Sequence, residues 1–242
     1  MSTVVLIHGA AMDGTVWRYQ ADAVAREGFT PIAVDLPGHG DSEGEPSVTI
    51  KGYAGWLLAY LSVLGEPVHL VGHSMGALVA LETVAARTDL VRSVTLLGVA
   101  DRMPVNSDLL VGVADGDSAM FAMMVSWMHA REPIGVPEWK LSDTAAILER
   151  SRPGVAFADL TACNDYPGAA GTASAASVPV LLILGDQDLM TKPSAAEPIE
   201  AAAPDATTVV VEGAGHMLFV ERPEVVNETL LKFLREVEST QL

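Results

Sequence analysis

Short, unbroken apolar runs alternate with longer amphipathic stretches along most of the chain. The short runs are continuous rather than alternating, so they predict strands of a parallel sheet that is covered on both faces. The stretches between them repeat apolar residues every three or four positions, which predicts helices. Together they predict an α/β fold with a doubly wound, mostly parallel sheet. The predicted strands are 3–8, 30–36, 67–73, 91–99, 178–186 and 206–213, and the main helical stretches are 15–27, 49–64, 75–87 and 222–238.

The alternation of strand and helix stops between the fourth and fifth predicted strands. Residues 101–165 contain no convincing strand, but they hold five of the ten methionines of the chain. We predict a helical cap, or lid, at 101–165, inserted into an α/β core formed by 1–100 and 166–242. Methionine side chains adapt to irregular surfaces, so they suit a substrate pocket as well as the packing of a cap onto its core. The candidates for contacting a substrate are Met123, Met124 and Trp127.

The chain is strongly acidic. Its 242 residues include 14 Lys and Arg against 31 Asp and Glu, which gives a net charge of −17. Such a surface repels phosphate groups, so we expect a small-molecule substrate and neither nucleic acid nor membrane as a partner. The sequence shows no signal peptide and no apolar run of membrane-spanning length, which favours a cytoplasmic protein. Cys163 is the single cysteine, and we expect it to be a small buried hydrophobe.

A serine flanked by glycines stands between a predicted strand and a predicted helix. In the segment GHSMG, Gly72 and Gly76 lie two residues to either side of Ser74. This G-x-S-x-G pattern in a strand–turn–helix context is typical of a serine nucleophile. The sharp turn strains the serine backbone, and larger side chains at the glycine positions would collide with it. A plain helix N-cap is the structural alternative for Ser74.

A serine hydroxyl needs a base before it can attack a carbonyl group at neutral pH. His216 lies in a Gly-rich loop directly after the last predicted strand, at the sheet edge where the serine turn is expected. The other histidines fit this role less well. His8 and His39 lie in turns, where we expect them to bond the backbone, and His129 lies in the cap as a surface residue or a substrate contact. The remaining two, inside a strand and next to the serine, are His69 and His73.

An imidazole base needs a carboxylate that fixes its tautomer and stabilises its cation. Asp186 and Asp188 follow the fifth predicted strand, and Asp101 follows the fourth. Asp188 lies farther beyond its strand than Asp186, so it can turn back toward the loop of His216. We therefore prefer Asp188 and keep the other two as alternatives.

Five segments of the chain, in this order, resemble the α/β-hydrolase superfamily, and together they extend over nearly its whole length. The order of serine, acid and histidine is also that of the family. The resemblance supports Asp188 as the acid, because Gly185 and Asp188 fit the family's G-x-x-D pattern. The segments are VLIHGAAMDGTVW (5–17), VDLPGHGDS (34–42), GHSMG (72–76), LILGDQD (182–188) and GAGH (213–216).

The resemblance also implies an oxyanion hole, formed by the backbone N–H groups of Met75 and Ala10. It implies about six parallel strands in the spatial order second, first, third, fourth, fifth and sixth. We expect the N-terminal hairpin that is common in the family to be missing, because the first predicted strand begins at residue 3. Ser74 argues against the dehalogenases and epoxide hydrolases of this fold, which use an aspartate at that position.

These residues predict a serine hydrolase that cleaves a carboxylic ester of a small or medium, largely apolar substrate through an acyl-enzyme, without metal or cofactor. The same side chains would also serve a C–C bond, lactone or thioester hydrolase, or a perhydrolase. A hydroxynitrile lyase would need a lysine facing the pocket, for which Lys140 and Lys192 are the positional candidates. A small-ligand receptor of the same fold is the remote alternative. The sequence does not indicate an oligomeric state.

Overall fold

The computed structural model describes residues 2–131 and 138–240, those at 138–141 by their backbone only. The strands are β1 (Thr3–Ile7), β2 (Thr30–Val34), β3 (Val68–His73), β4 (Val91–Leu97), β5 (Val180–Gly185) and β6 (Ala206–Val211). The helices are α1 (Arg18–Arg26), α2 (Ile50–Leu64), α3 (Met75–Ala86), α4 (Ser107–Ala114), α5 (Ser118–Met128), α6 (Glu138–Glu149), α7 (Val155–Asn164), α8 (Ala170–Ala173), α9 (Glu197–Ala202), α10 (Leu218–Glu221) and α11 (Pro223–Thr240). None of these described helices has the length and apolar character that a membrane crossing requires.

The strands form one sheet in the order β2-β1-β3-β4-β5-β6, and every neighbouring pair is parallel. This confirms the predicted fold class and the predicted strand order. The chain runs outward from β1 to β2 and then crosses back to place β3 on the other side of β1. In doubly wound sheets, ligands bind beyond the carboxyl ends of the strands at such a reversal. His8 and Ser74 directly follow these two inner strands, β1 and β3.

Alternate residues of the central strands enter two hydrophobic layers, one on each face of the sheet. Val5 and Ile7 pack in the layer that includes residues of α2 and α3, whereas Val4 and Leu6 pack in the layer that includes residues of α1 and α11. The central strands β1, β3 and β5 are buried along their length, as their unbroken apolar runs predict. The edge strands β2 and β6 are partly exposed. The prediction that every strand is buried was wrong for β2 and β6. Each lies at an edge of the sheet, with a neighbouring strand on one side only.

Helix α2 shows how local sequence sets the limits of an element. Thr49 precedes it, and its hydroxyl accepts a hydrogen bond from the Gly52 N–H at 3.1 Å. Tyr53 and Leu57 lie one helical turn apart and are fully buried on the core side. Gly65 ends the helix with φ +74°, a left-handed conformation that glycine adopts without steric cost.

The segment between β4 and β5 contains helices α4 to α7, and no strand lies among its described residues. Leu109 of α4, Met124 of α5 and Leu160 of α7 belong to the same hydrophobic cluster as Trp17 and Phe219 of the α/β core. The helical segment therefore packs onto the core through a shared apolar layer, beyond the carboxyl ends of the strands.

Candidate active site

Ser74 lies on a sharp turn between β3 and α3. Its backbone has φ +53° and ψ −115°, in a region that non-glycine residues rarely adopt. A hydrogen bond from the Ser74 N–H to the Leu97 carbonyl (2.9 Å) holds the turn against β4. A Cβ atom on Gly72 would lie 2.3 Å from the Gly76 carbonyl oxygen, and one on Gly76 would lie 2.3 Å from that of Ile7. The turn therefore requires both glycines of the G-x-S-x-G pattern.

The Ser74 side chain is half-buried and lines a cavity. It makes no capping hydrogen bond to α3, so a plain N-cap does not account for a serine at this position. Helix α3 begins at Met75, whose N–H belongs to the first turn and has no partner within the helix. This free N–H and the helix dipole favour negative charge beside Ser74.

His216 and Asp188 form a buried hydrogen-bonded pair. The carboxylate can only accept, so the His216 Nδ1–H donates to Asp188 Oδ2, at 2.8 Å, and the two side chains are 1% and 0% exposed. The loops that carry them meet at Gly185, where an added Cβ would lie 2.4 Å from the carbonyl oxygens of both Ala214 and Gly215. This close approach of the loops after β5 and β6 depends on the glycine.

Asp188 is surrounded by hydrogen-bond donors. Its Oδ1 accepts the N–H groups of Met190 and Thr191, each at 2.8 Å, and its Oδ2 accepts the Thr191 hydroxyl at 2.7 Å. Burial alone would raise the pKa of Asp188, but His216 and these donors hold it well below its usual value, so the carboxylate is ionised. Thr191 was not among the residues predicted for the site. Its signal is the D-x-x-T spacing, typical of a turn that begins at an aspartate.

The two alternative carboxylates bind main-chain groups elsewhere. Asp186 accepts the Ala214 N–H at 3.2 Å, and Asp101 accepts the Ala170 N–H at 2.8 Å. Both therefore brace loops at the sheet edge. Of the three candidates, Asp188 is the one that the structure brings to His216.

The loop after β1 carries Ala10, the second residue implied for the oxyanion hole, and Ala10 lines the same cavity as the serine. His8 donates from Nδ1 to the Gly9 carbonyl at 2.8 Å and accepts the Leu36 N–H at Nε2 at 3.1 Å. Burial, together with the nearby His39, lowers the pKa of His8 to about 4, so the ring is neutral and keeps this tautomer. The C=O and N–H of a trans peptide point in opposite directions, so the bond to Gly9 turns the Ala10 N–H away from His8.

Two further histidines brace the loop of His216. His73 donates from Nε2 to the main-chain oxygen of His216 at 3.0 Å, and burial holds the pKa of His73 well below its usual value. His129, directly after α5, bonds through Nδ1 to Glu221 Oε1 at 2.9 Å, while Glu221 Oε2 accepts the Gly215 N–H at 2.8 Å. The expectation that His129 is a surface residue or a substrate contact was wrong, because its side chain is buried in this pair. Nothing local in the sequence signals a partner so far away in the chain.

The cavity beside Ser74 and His216 has a volume of about 220 Å³. Of the three predicted substrate contacts, Met124 and Trp127 line this cavity, whereas Met123 does not and instead packs against the adjoining hydrophobic cluster. At about 100° per residue, Met124, Trp127 and Met128 share one arc of α5 and Met123 falls outside it, so Met123 was wrong as a contact in this cavity. Other apolar residues of the lining include Met103, Leu109, Met128, Leu160, Cys163 and Met190.

Comparison with known proteins identifies the family of the chain. The profile of the alpha/beta hydrolase family matches residues 4–229 of the chain. A protein named uncharacterized carboxylesterase nap, from Bacillus subtilis (strain 168), is 29% identical over 95% of this chain and 78% of its own. The pimeloyl-[acyl-carrier protein] methyl ester esterase of Neisseria meningitidis is 30% identical over 91% of this chain and 73% of its own. A solved thermophilic esterase from Thermogutta terrifontis, 24% identical, superposes with a TM-score of 0.88 over 98% of this chain and 90% of that chain.

The chain therefore belongs to the alpha/beta hydrolase family. It is an enzyme of that superfamily, and its relatives support an esterase or other hydrolase activity.

Proposed function

We propose that the protein is a carboxylic ester hydrolase in which Ser74 is the nucleophile, His216 the general base and Asp188 the acid that orients it. One observation carries the proposal: Ser74 and His216 line the same cavity, while Asp188 occupies the Nδ1 side of the His216 ring. A neutral imidazole has one N–H, so donation from Nδ1 leaves a lone pair on Nε2. Nε2 is then the atom that accepts a proton from the serine.

The proposed reaction has two acyl-transfer steps. His216 Nε2 takes the Ser74 proton as Oγ attacks the ester carbonyl, and ionised Asp188 stabilises the resulting imidazolium. The N–H groups of Met75 and Ala10 stabilise the oxyanion. The C–O bond to the alcohol then breaks, and the alcohol leaves with the proton from His216. Water, deprotonated by His216, attacks the acyl-enzyme, which releases the acid and restores the serine.

The lining of the cavity supports a neutral, compact substrate. It holds no Lys, Arg, Asp or Glu side chain among the described residues, so a substrate carboxylate would lose its water without gaining a charged partner. A volume of about 220 Å³ corresponds to roughly seven water-sized groups at ~30 Å³ each. The names of the two curated relatives, a carboxylesterase and a methyl ester esterase, support the same bond type. We propose that the helical segment 101–165 acts as the cap over this cavity.

Two competing chemistries fit the cavity less well. A hydroxynitrile lyase needs a lysine at the reacting centre, but Lys192 lines a different groove together with Arg131. The side chain of Lys140 lies outside the described residues. A cysteine nucleophile is also disfavoured, because burial raises the pKa of the Cys163 thiol far above neutrality.

Steady-state kinetics with p-nitrophenyl esters of increasing acyl length test the proposal. A lactone, a thioester and a C–C diketone in the same panel define the bond that is cleaved. We expect the highest kcat/KM for short acyl esters, and a loss of more than about 10⁴-fold in kcat for Ser74→Ala. Ser62→Ala, an exposed serine on α2, is the matched control and should keep wild-type kinetics. Near-normal turnover by Ser74→Ala, or a preference for the diketone, would contradict the proposal.

A further inference from the structure

A buried carboxylate outside the three residues of the proposed mechanism joins the segment 101–165 to the loop after β1. Asp159 lies on α7, and its side chain has no exposed surface. Its Oδ2 accepts the Ala11 N–H at 2.8 Å and lies 2.8 Å from His39 Nε2. Its Oδ1 accepts the hydroxyl of Tyr53. One carboxylate thus binds three elements that are remote from it in sequence.

His39 supplies the opposite charge. Its Nδ1 lies 3.0 Å from the Pro37 carbonyl oxygen and 3.2 Å from that of Leu36, while its Nε2 faces Asp159. All of these partners are acceptors, so both ring nitrogens carry hydrogen and the ring is an imidazolium. Burial would lower the pKa of His39, but the hydrogen bond and charge of Asp159, with the two carbonyls, raise it above its usual value. His39 and Asp159 therefore form a buried salt bridge. His39 makes this contact in addition to the hydrogen bonds with the nearby backbone that we expected of it.

The residue that Asp159 holds has an unfavourable backbone conformation. Ala11 has φ +57°, and Ala11 and Ser74 are the non-glycine residues with positive φ in the described part of the chain. Ser74 is the proposed nucleophile, and Ala11 directly follows Ala10, the proposed oxyanion donor. A left-handed alanine is strained and persists only where its surroundings fix it. The hydrogen bond from the Ala11 N–H to Asp159 is such a restraint.

Ala10 therefore lies between two peptide groups that are each held by a hydrogen bond. His8 holds the Gly9 carbonyl on one side, and Asp159 holds the Ala11 N–H on the other. With both peptide planes fixed, the Ala10 N–H keeps one direction. An oxyanion donor is effective when it is in place before charge develops, since no reorganisation is then needed during the reaction.

We infer that Asp159 is a positioning residue for ester hydrolysis, which holds the backbone of Ala11 so that the Ala10 N–H is directed at the oxyanion. The inference rests on the proposed function, because it takes Ala10 as an oxyanion donor for Ser74. Asp159 does not line the cavity, so it acts through the backbone and not on the substrate.

Three variants separate positioning from stability. Asp159→Ala removes the acceptor of the Ala11 N–H and should lower kcat by about 10- to 100-fold with KM unchanged, a smaller loss than deletion of a donor produces. Asp159→Asn keeps an amide oxygen for the Ala11 N–H and should recover most of kcat. Tyr53→Phe deletes the bond to the other carboxylate oxygen, so it should lower the Tm and leave kcat at the wild-type value.

Inhibition by 1-butylboronic acid supplies a second measurement, because its tetrahedral serine adduct resembles the transition state. The inhibition constant should rise in Asp159→Ala by the factor by which kcat/KM falls. A purely structural role for Asp159 would lower the Tm of Asp159→Ala and leave both kcat and the inhibition constant unchanged. That result would overturn the inference.

A double variant covers the case in which Asp159→Ala does not fold. Asp159→Leu combined with His39→Leu replaces the salt bridge by apolar side chains, a change that proteins often tolerate. It still lacks an acceptor for the Ala11 N–H, so the same loss of kcat is expected, and wild-type kcat would again overturn the inference. Failure of the proposed function is distinct, because Ser74→Ala would then keep its turnover.

Discussion

The Nδ1–H of His216 donates to Asp188 Oδ2 at 2.8 Å, from a loop after β6 to a loop after β5. This bond fixes which ring nitrogen carries the proton, and Thr191 reinforces it through a hydroxyl 2.7 Å from the same carboxylate oxygen. The opposite nitrogen, Nε2, keeps its lone pair, which in the proposed mechanism accepts the proton of Ser74.

Replacement of Asp188 by asparagine should impair catalysis far more than the same replacement of the nearby Asp186. For Asp188→Asn we expect kcat to fall by about 10⁴-fold, because the amide favours the wrong imidazole tautomer and cannot stabilise the imidazolium. The control is Asp186→Asn, which weakens only the bond to the Ala214 N–H and should cost about 1 kcal/mol of stability with little change in kcat. If Asp186→Asn proved the more damaging change in steady-state kinetics, the acid would be misassigned.

The glycine after the serine should not tolerate a methyl group. Gly76→Ala would place its Cβ 2.3 Å from the Ile7 carbonyl oxygen and 2.5 Å from that of His8. Because both are backbone atoms, we expect a loss of more than about 3 kcal/mol in the free energy of unfolding, measured in urea. Gly55→Ala on the exposed face of α2 meets no atom within 4 Å and should instead stabilise by about 0.5–1 kcal/mol. A Gly76→Ala variant as stable as the wild type would refute the strained turn.

Two adjacent methionines of α5 should differ in their effect on substrate choice. Met124 lines the cavity and Met123 does not, so Met124→Ala should shift the best acyl chain of the ester panel to greater length. The Met123→Ala control should leave the chain-length optimum in place. Each extra methylene buried in the enlarged cavity is worth about 0.8 kcal/mol, roughly fourfold in kcat/KM. Equal shifts in the two variants would mean that the cavity is not the acyl site.

The stability of the fold should fall as the pH is lowered from about 6.5 to about 4. The pKa of His8 is lowered to about 4 in the folded protein, so the unfolded chain binds a proton in this range that the folded chain does not. The stabilisation of the folded state by neutral His8 is complete above pH 6.5. It decreases as the pH falls, by at most about 3 kcal/mol. His8→Gln keeps a donor and an acceptor but does not titrate, so its Tm should decline less steeply over the same range. If the Tm of His8→Gln and that of the wild type declined in parallel over this pH range, His8 would not contribute to the pH dependence of stability.

Local sequence predicted the scaffold well, because its determinants are local. Unbroken apolar runs predicted the strands, and the strand order followed from the resemblance to a known family. Ser74, His216 and Asp188 could be placed at one sheet edge since each follows the carboxyl end of a parallel strand. The ends of the predicted strands and main helices moved by at most three residues, as at β5, predicted over 178–186 and observed over Val180–Gly185.

The contacts that the sequence did not predict are those between distant segments. Asp159 lies on a helix of the segment 101–165 and pairs with His39, 120 residues earlier, and no periodicity encodes that distance. The pair of His129 and Glu221 is also remote, at a separation of 92 positions in the chain. Such polar contacts depend on how the helical segment packs onto the core, which hydrophobic patterning does not determine.

The central claim is that Ser74 is the nucleophile, and covalent labelling with a fluorophosphonate followed by peptide mass spectrometry tests it most directly. The account predicts one phosphonyl group per chain, on the peptide that contains Ser74, with loss of esterase activity in proportion to labelling. Ser74→Ala should remain folded and unlabelled. A label on another residue, or an esterase activity that survives complete labelling of Ser74, would contradict the account.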